Sequence, residues 1–238
     1  MADSQSDPTG RGASAPPAAI VFDVNETLSD LSPLEGSFAA AGLDPRDVAP
    51  WFSGVLRDAF ALNLAGENPA FADVASDALR LRLAAAGRDE EGAAAGAEEL
   101  LRAFTSLGVH PDVVEGVEAL RARGIRLLTL SNGSAEVAEG LLGRAGVLDS
   151  FEALLSVEEG SAWKPHPDSY ARALEERGIS PEDAMLVAVH PWDVHGAVRA
   201  GLRGCWLNRD GAPRPAVFAP AGVEVGDLRE LADALAGG

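Results

Sequence analysis

From residue 109 onward, short apolar runs alternate with segments of helical periodicity, and this alternation is the strongest constraint on the fold. The predicted strands cover 125–130, 151–157, 184–189 and 203–208, and the predicted helices cover 112–123, 135–145, 168–177, 194–200 and 225–235. Strands that alternate with helices favour a parallel sheet with helices on both faces. The sequence therefore predicts an α/β fold with a Rossmann-like core.

One more buried strand is predicted near the N-terminus. Ala19–Phe22 is a short apolar run that follows Pro16 and Pro17 and stops at Asp23. Such a run is expected to carry Asp23 at its C-terminal tip. In open parallel sheets ligands bind at the carboxyl ends of the strands, which makes Asp23 a candidate nucleophile. The alternative is that Asp23 only caps the turn that follows.

Between these two regions, residues 34–108 contain no strand-like run. Their apolar residues recur at spacings of three and four, which predicts helices. This block would be inserted after the first strand, above the sheet edge at which Asp23 lies. It is placed to act as a lid that excludes water and completes a substrate pocket. The Ala/Gly/Glu-rich stretch at 92–99 is expected to be a surface segment that links helices.

These patterns divide the chain into three parts. Residues 1–17 are rich in Ser, Gly, Pro and Ala and are expected to form a disordered tail. Residues 18–33 and 109–238 are expected to form the core domain, and residues 34–108 a helical cap. No apolar run approaches the ~20 residues that span a bilayer, so we expect a cytoplasmic protein without a membrane partner.

Charge and cysteine content exclude several classes of function. The chain has 37 acidic and 19 basic residues, a formal net charge of −18, and no stripe of Lys or Arg that would follow a phosphate backbone. Nucleic acid is therefore not an expected partner. The single cysteine, Cys205, excludes an intrachain disulfide and a multi-cysteine metal site.

At three further places in the chain, polar residues follow a predicted strand or precede a predicted helix. Ser131 and Asn132 come after the second core strand, Lys164 lies in a loop before a helix, and Asp193 follows the fourth strand. Each has an ordinary interpretation, as a turn, a solvated surface charge or a helix start. Because the carboxyl ends of parallel strands share one edge, their joint placement there favours a common site with Asp23.

Five stretches carry a resemblance to a known family. They are Phe-Asp-x-x-x-Thr-Leu at 22–28, Leu-Ser-Asn-Gly-Ser at 130–134, Lys164-Pro165 followed by Tyr170, Trp-Asp-x-x-Gly-Ala at 192–197, and Cys-Trp-Leu-Asn-Arg at 205–209. In these motifs the chain resembles the haloacid dehalogenase superfamily, and more narrowly the type II (S)-2-haloacid dehalogenases. The resemblance covers residues 18–236 and includes an all-helical cap inserted after the first motif.

The resemblance implies a covalent mechanism without a cofactor. Asp23 would attack the halogen-bearing carbon of a short 2-haloacid, displace halide and form an ester, which water would then hydrolyse at the Asp23 carbonyl. Lys164 would keep Asp23 ionised, since an opposite charge lowers the pKa of an acid. Ser131 and Asn132 would bind the substrate carboxylate.

The other roles implied by the resemblance surround this centre. Thr27 would orient Asp23, Asp193 would position Lys164 and the hydrolytic water, and Tyr170 would support the site from behind. Leu56, Phe71 and Trp192 fall at positions that line the apolar pocket of the family, although ordinary core packing also accounts for such residues. The resemblance also allows a homodimer.

Three positions depart from the family pattern. Phe52 stands where an Arg thought to receive the halide is common, Asn25 replaces a frequent aromatic residue, and His190 replaces an Asn. Arg57 is no substitute, because five residues along a helix place it on another face. Asn25 and His190 are candidate halide donors, and His190 is also a candidate base for the hydrolytic water because its ordinary pKa is ~6.5.

Two alternative functions remain open, and the first is a phosphatase of the superfamily or another small-molecule hydrolase with an altered substrate. Magnesium-dependent phosphatases of the superfamily carry a second Asp where this chain has Asn25, which cannot transfer a proton near neutral pH. They also carry an acid where this chain has Val189, so metal-independent chemistry with no metal site is expected. The second alternative is a catalytically silent small-molecule-binding protein that keeps Asp23 and has lost turnover through Phe52.

Overall fold

A computed structural model of the chain describes residues 15–160 and 162–236. Residues 1–14 of the predicted tail lie outside the described residues. Of the remainder, Pro17 is buried, and the carbonyl oxygen of Ala15 accepts a hydrogen bond of 2.8 Å from Arg203 Nη2. No helix among the described residues has the length and apolar character required to cross a membrane.

The centre of the fold is a parallel six-stranded sheet. Its strands are β1 (Ala19–Phe22), β2 (Arg126–Ser131), β3 (Ala153–Ser156), β4 (Ala184–Ala188), β5 (Arg203–Leu207) and β6 (Val223–Val225), in the order β3-β2-β1-β4-β5-β6. β1 lies between β2 and β4, where Phe22 pairs with Thr129 and Val187. The strand order reverses at β1, and this is the position where open α/β sheets bind ligands.

Helices cover both faces of the sheet. They are α1 (Leu34–Ala41), α2 (Val48–Leu64), α3 (Phe71–Ala85), α4 (Glu90–Thr105), α5 (Val113–Ala122), α6 (Ala135–Ala145), α7 (Pro167–Glu175), α8 (Pro191–Arg199) and α9 (Leu228–Ala234). Ile20 and Phe22 pack into a core with α5, α6 and α9, whereas Ala19 and Val21 pack into a core with α7, α8 and α1 to α4. The α/β fold predicted from the alternation is confirmed.

The helices α1 to α4 lie between β1 and β2 in the sequence and above the carboxyl edge of the sheet. The chain leaves and re-enters the core at a β-bridge between Ser29 and Val109. Farther away, the backbone N–H of Phe71 donates to Glu158 Oε1 at 3.0 Å, and Trp163 Nε1 donates to the carbonyl oxygen of Pro69 at 3.0 Å. These bonds attach the start of α3 to the core segment around residues 158–163.

Three details of the sequence prediction are wrong. The stretch at 92–99 belongs to α4, because Asp89 caps the helix by accepting from Gly92 N, and alanine is the strongest helix former. β6 was not predicted, since three residues are too few to show an alternating pattern. The last helix consequently begins at Leu228 rather than at 225.

Candidate active site

Asp23 follows β1 directly, and its carboxylate is almost completely buried. Its backbone N–H donates to Val187 O at 3.0 Å and so continues the sheet by one bond. The turn after it brings back Thr27, whose hydroxyl donates to Asp23 Oδ2 at 2.7 Å and accepts from Val189 N at 3.1 Å. Asp23 is therefore oriented from both neighbouring segments of the edge.

Lys164 supplies the positive charge at Asp23. Its Nζ lies 2.8 Å from Asp23 Oδ1 and 2.7 Å from Asp193 Oδ2, and its side chain is fully buried. Burial opposes the charged form, but the two carboxylates raise the pKa of Lys164 above its ordinary value. The ammonium ion therefore persists at neutral pH between two buried acids.

Asn132 holds the backbone of Lys164 in place. Its Oδ1 accepts from Lys164 N at 2.9 Å, and its Nδ2 donates to Lys164 O at 3.2 Å. The sequence interpretation assigned this amide to the substrate carboxylate. In the structure both of its ends serve the lysine loop, which leaves one amide hydrogen for a ligand. Ser131 Oγ accepts from Gly133 N at 2.9 Å and keeps its own hydrogen to donate.

Asp193 lies behind Lys164 in the first turn of α8, which begins at Pro191 instead of the predicted 194. Proline at the first helical position loses no hydrogen bond, so it favours this earlier start. The Tyr170 hydroxyl donates to Asp193 Oδ1 at 2.5 Å. Burial raises the pKa of Asp193, while Lys164 and Tyr170 oppose that increase. Both Asp193 oxygens are thus occupied by protein groups.

Gly196 allows this arrangement to pack, because a methyl group there would lie 2.6 Å from Tyr170 Oη and 2.6 Å from Pro165 Cβ. We expect Gly196→Ala to lower the free energy of unfolding by ~1–3 kcal/mol, typical of overpacking, and to lower activity by displacing Tyr170. Chemical denaturation measures the first effect. Gly143→Ala on α6 is the matched control, since open space surrounds Gly143 and alanine there should be neutral or stabilising. Equal stabilities for the two variants would contradict the packing argument.

The electrostatic balance at Asp23 favours its ionised form. Burial would raise the pKa of Asp23, but the Lys164 ammonium and the hydrogen bond with His190 lower it well below its usual range. His190 Nδ1 lies 3.2 Å from Asp23 Oδ2, and His190 Nε2 lies 2.8 Å from Glu26 Oε2. These two acids outweigh burial and raise the pKa of His190 to about 9. His190 is therefore an imidazolium at neutral pH.

The comparisons with known proteins agree with this geometry. A family model of haloacid dehalogenase-like hydrolases matches residues 17–201. The chain belongs to this family. It is 37% identical over 198 residues to haloacetate dehalogenase H-2 of Moraxella sp. (strain B), which covers 81% of this chain and 86% of the relative. It is also 35% identical over 159 residues to phosphoserine phosphatase of Thermus thermophilus, covering 66% of this chain and 64% of that relative.

Among solved structures, the chain resembles L-2-haloacid dehalogenase from Xanthobacter autotrophicus with chloropropionic acid covalently bound. The TM-score is 0.81 at 26% sequence identity, and the match covers 92% of this chain and 98% of that chain. The likeness extends over core and cap together.

Above Asp23, this haloacid dehalogenase-like hydrolase places an aromatic wall from the cap. Phe52 stacks on the His190 ring at a centroid distance of 6.2 Å and lies 6.0 Å from Phe71. Trp192 lies on the other side of His190 at 5.1 Å. Leu56 is buried one turn after Phe52. Arg57, as expected, points elsewhere and pairs with Asp58 on the surface.

Asn25 lies under the same wall and is buried. A Cβ atom added to Gly133 would lie 3.6 Å from Asn25 Nδ2 and 3.9 Å from Phe71 Cβ. The absence of a side chain at Gly133 therefore leaves space beside Ser131 and Asn25.

Sequence reasoning missed Glu26, which lies beside His190, and it assigned no role to His110. His110 Nε2 lies 3.0 Å from the Glu26 carbonyl oxygen. Glu26 has the left-handed φ of 63°, unusual for a residue other than glycine, and no sequence pattern reveals that conformation. A simpler signal was available for Lys164, because it is the only lysine in the chain and all other basic side chains are arginines.

Proposed function

We propose that this protein hydrolyses the carbon–halogen bond of short 2-haloalkanoic acids through an ester on Asp23. The observation that carries the proposal is the buried, ionised Asp23 carboxylate, held by Lys164 and Thr27 below an apolar wall from the cap. A carboxylate fixed in this way is a positioned nucleophile, and exclusion of water strengthens its interactions with charge.

The leaving group decides between a halide and a phosphate ester. An alkoxide that leaves a phosphate ester needs a proton from a nearby acid. The position two residues after the nucleophile is Asn25, whose amide cannot transfer a proton near neutral pH, and Val189 stands where phosphatases of the superfamily carry a carboxylate. Halide ions leave without protonation, so the groups that are present suffice for dehalogenation. On this proposal no metal ion takes part.

The proposed roles follow from these contacts. Asp23 displaces the halide from carbon 2, and Lys164 and Thr27 keep it ionised and aimed. Ser131 and the remaining amide hydrogen of Asn132 bind the substrate carboxylate. Asp193 positions Lys164, and Tyr170 positions Asp193. Neither Asp193 nor Tyr170 contacts the substrate directly.

The apolar residues complete the proposed pocket. Phe52, Phe71, Leu56 and Trp192 enclose the carbon chain, and Asn25 offers an amide N–H to the departing halide.

The test is halide release from (S)- and (R)-2-chloropropionate, chloroacetate and fluoroacetate in the presence of a chelator. We expect release that favours the (S) form and is unchanged by the chelator. Hydrolysis of p-nitrophenyl phosphate that requires magnesium, without halide release, would instead establish the phosphatase. Failure of both reactions, with substrate acids still binding, would favour the silent binding protein.

Two further expectations, a homodimer from the family resemblance and a cytoplasmic location from the hydropathy of the sequence, remain predictions. A homodimer is checked by light scattering of the purified protein, and a cytoplasmic location by fractionation of cells.

A further inference from the structure

Asp23, His190 and Glu26 form a continuous chain of hydrogen bonds at the mouth of the site. His190 Nδ1 lies 3.2 Å from Asp23 Oδ2, and His190 Nε2 lies 2.8 Å from Glu26 Oε2. The main chain of Glu26 is fixed on both sides, since its N–H donates to Ser29 Oγ at 3.2 Å and its carbonyl lies 3.0 Å from His110 Nε2. A residue other than glycine costs free energy at a left-handed φ, and these two contacts hold Glu26 in that conformation. Such residues cluster at functional sites.

This geometry does not suit His190 as a receptor for halide. In a displacement the halide departs on the side of the carbon opposite to the attacking oxygen. His190 lies beside the attacking carboxylate itself, and both of its ring nitrogens contact carboxylates. A halide near Nε2 would be repelled by Glu26.

The other titratable groups near Asp23 are unsuited to accept a proton from water. Lys164 is a fully buried ammonium ion, and both oxygens of the fully buried Asp193 are occupied by Lys164 and Tyr170. His190 retains 14% of its side-chain exposure and Glu26 retains 34%. An open groove between cap and core, lined also by Trp206 and Arg209, reaches both residues. Water and protons therefore have a route to His190.

We propose that His190 is the base of the hydrolytic half-reaction and that Glu26 is its positioning residue, an inference that rests on the dehalogenation proposed above. Water attacks Cγ of the Asp23 ester and transfers its proton to His190 Nδ1. The bond between Cγ and the ester oxygen then breaks, and the departing hydroxy acid takes the proton of the new carboxyl group. The step regenerates the Asp23 carboxylate and the His190 imidazolium.

Ester formation itself prepares His190 for this role. In the resting enzyme the imidazolium faces two carboxylates, Asp23 and Glu26, while Lys164 and Asp193 lie beyond Asp23 and the cap presents Phe52. Esterification removes the negative charge at Asp23, so the imidazolium loses a stabilising partner and releases its proton through the groove. Glu26 retains the hydrogen on Nε2, and the lone pair of Nδ1 then faces the ester.

The decisive experiment compares His190→Ala and His190→Gln with the wild type in rapid mixing with (S)-2-chloropropionate. We expect both variants to release about one halide per active site and then stall. Mass spectrometry should locate the ester on Asp23, and its hydrolysis should be at least about 100-fold slower, the lower range for general-base catalysis. Added imidazole should accelerate hydrolysis in His190→Ala. His195→Ala on the same helix is the control, because that ring accepts from Ala219 N and contacts Phe218, away from Asp23.

Glu26 is tested by Glu26→Gln, which keeps the shape of the side chain and removes its charge. We expect ester hydrolysis to slow by at least about tenfold, a smaller effect than the ~10⁴-fold loss for the Asp of the serine protease triad. The apparent pKa of that step should fall, whereas halide release should change little. Glu26→Asp should restore part of the rate. A structural role would lower both half-reactions without moving the pKa.

The proposed change of protonation has its own readout. Asn at position 23 imitates the uncharged ester, so the pKa of His190, followed by NMR of the imidazole, should be lower in Asp23→Asn than in the wild type, because the Asp23 carboxylate no longer raises it. An unchanged value would overturn the preparation step.

The outcomes separate the two proposals. Normal turnover by His190→Ala and His190→Gln, or failure of these variants to release even the first halide while the wild type turns over, overturns the role of His190 and leaves dehalogenation intact. A wild-type enzyme that releases no halide overturns dehalogenation, and the role of His190 with it.

Discussion

Replacing Asp23 by Asn should lower the rate of halide release by at least about 10⁴-fold, as removal of an enzyme nucleophile does. The amide is nearly isosteric and still offers hydrogen-bonding groups to Thr27 and Lys164, so the fold should be retained. Because an amide does not displace halide efficiently, no ester should form on residue 23. Halide electrodes and intact-protein mass spectrometry measure the two effects.

Labelled water extends this test to the wild type. In a single turnover in ¹⁸O-water, hydrolysis at the Asp23 carbonyl should place the heavy oxygen in Asp23 and leave the hydroxy acid unlabelled. Label in the first molecules of product would mean direct attack by water and would contradict the covalent route. The control for Asp23→Asn is Asp44→Asn, which also removes one carboxylate, but at a residue that pairs with Arg46 on the surface of the cap.

Replacing Lys164 by Met should destabilise the protein by ~3–5 kcal/mol and abolish turnover, because it removes the buried ammonium ion that the Asp23 and Asp193 carboxylates share. Lys164 Nζ contacts both Asp23 and Asp193, and all three side chains are nearly or fully buried. Without the ammonium ion, burial and mutual repulsion raise the pKa of the two acids, and the nucleophile takes up a proton. Urea denaturation and halide release measure these effects.

The difference in stability between the wild type and Lys164→Met should depend on pH. Lys164 lowers the pKa of Asp23 below its ordinary 3.8, so its contribution to stability is present above that pH and is lost on acidification. In Lys164→Met the pKa values of Asp23 and Asp193 are raised, so the folded state binds protons more readily than the unfolded state. The variant therefore becomes more stable as pH falls. The stability difference between wild type and variant should therefore narrow as pH falls from 7 towards 4.

Arg46→Met serves as the control for Lys164→Met. Arg46 also contacts a carboxylate, at 2.6 Å from Asp44, but its side chain is 89% exposed. Exposed ion pairs contribute little, so its loss should change stability by less than about 1 kcal/mol. A similar change in both variants would contradict the argument from burial.

Several elements followed from local pattern. The apolar run before Asp23 predicted β1, and the alternation after residue 109 predicted the sheet, because periodicity and length report burial directly. The start of α8 and the strand β6 were missed, since proline geometry and three-residue strands leave no periodic signal. Asn25 and Val189 were informative from the sequence alone, because an amide cannot transfer a proton near neutral pH and a valine side chain carries no charge.

The sequence by itself determined the fold class and the identity of the groups at one edge of the sheet. Only the tertiary structure decided their partners. Lys164 reaches Asp23 across 141 residues, Asn132 turns to the backbone of Lys164, and Glu26 turns to His190. The physical reason is that a hydrogen bond depends on distances within a few tenths of an ångström. Such distances arise from the packing of segments remote in sequence, which neither composition nor periodicity encodes.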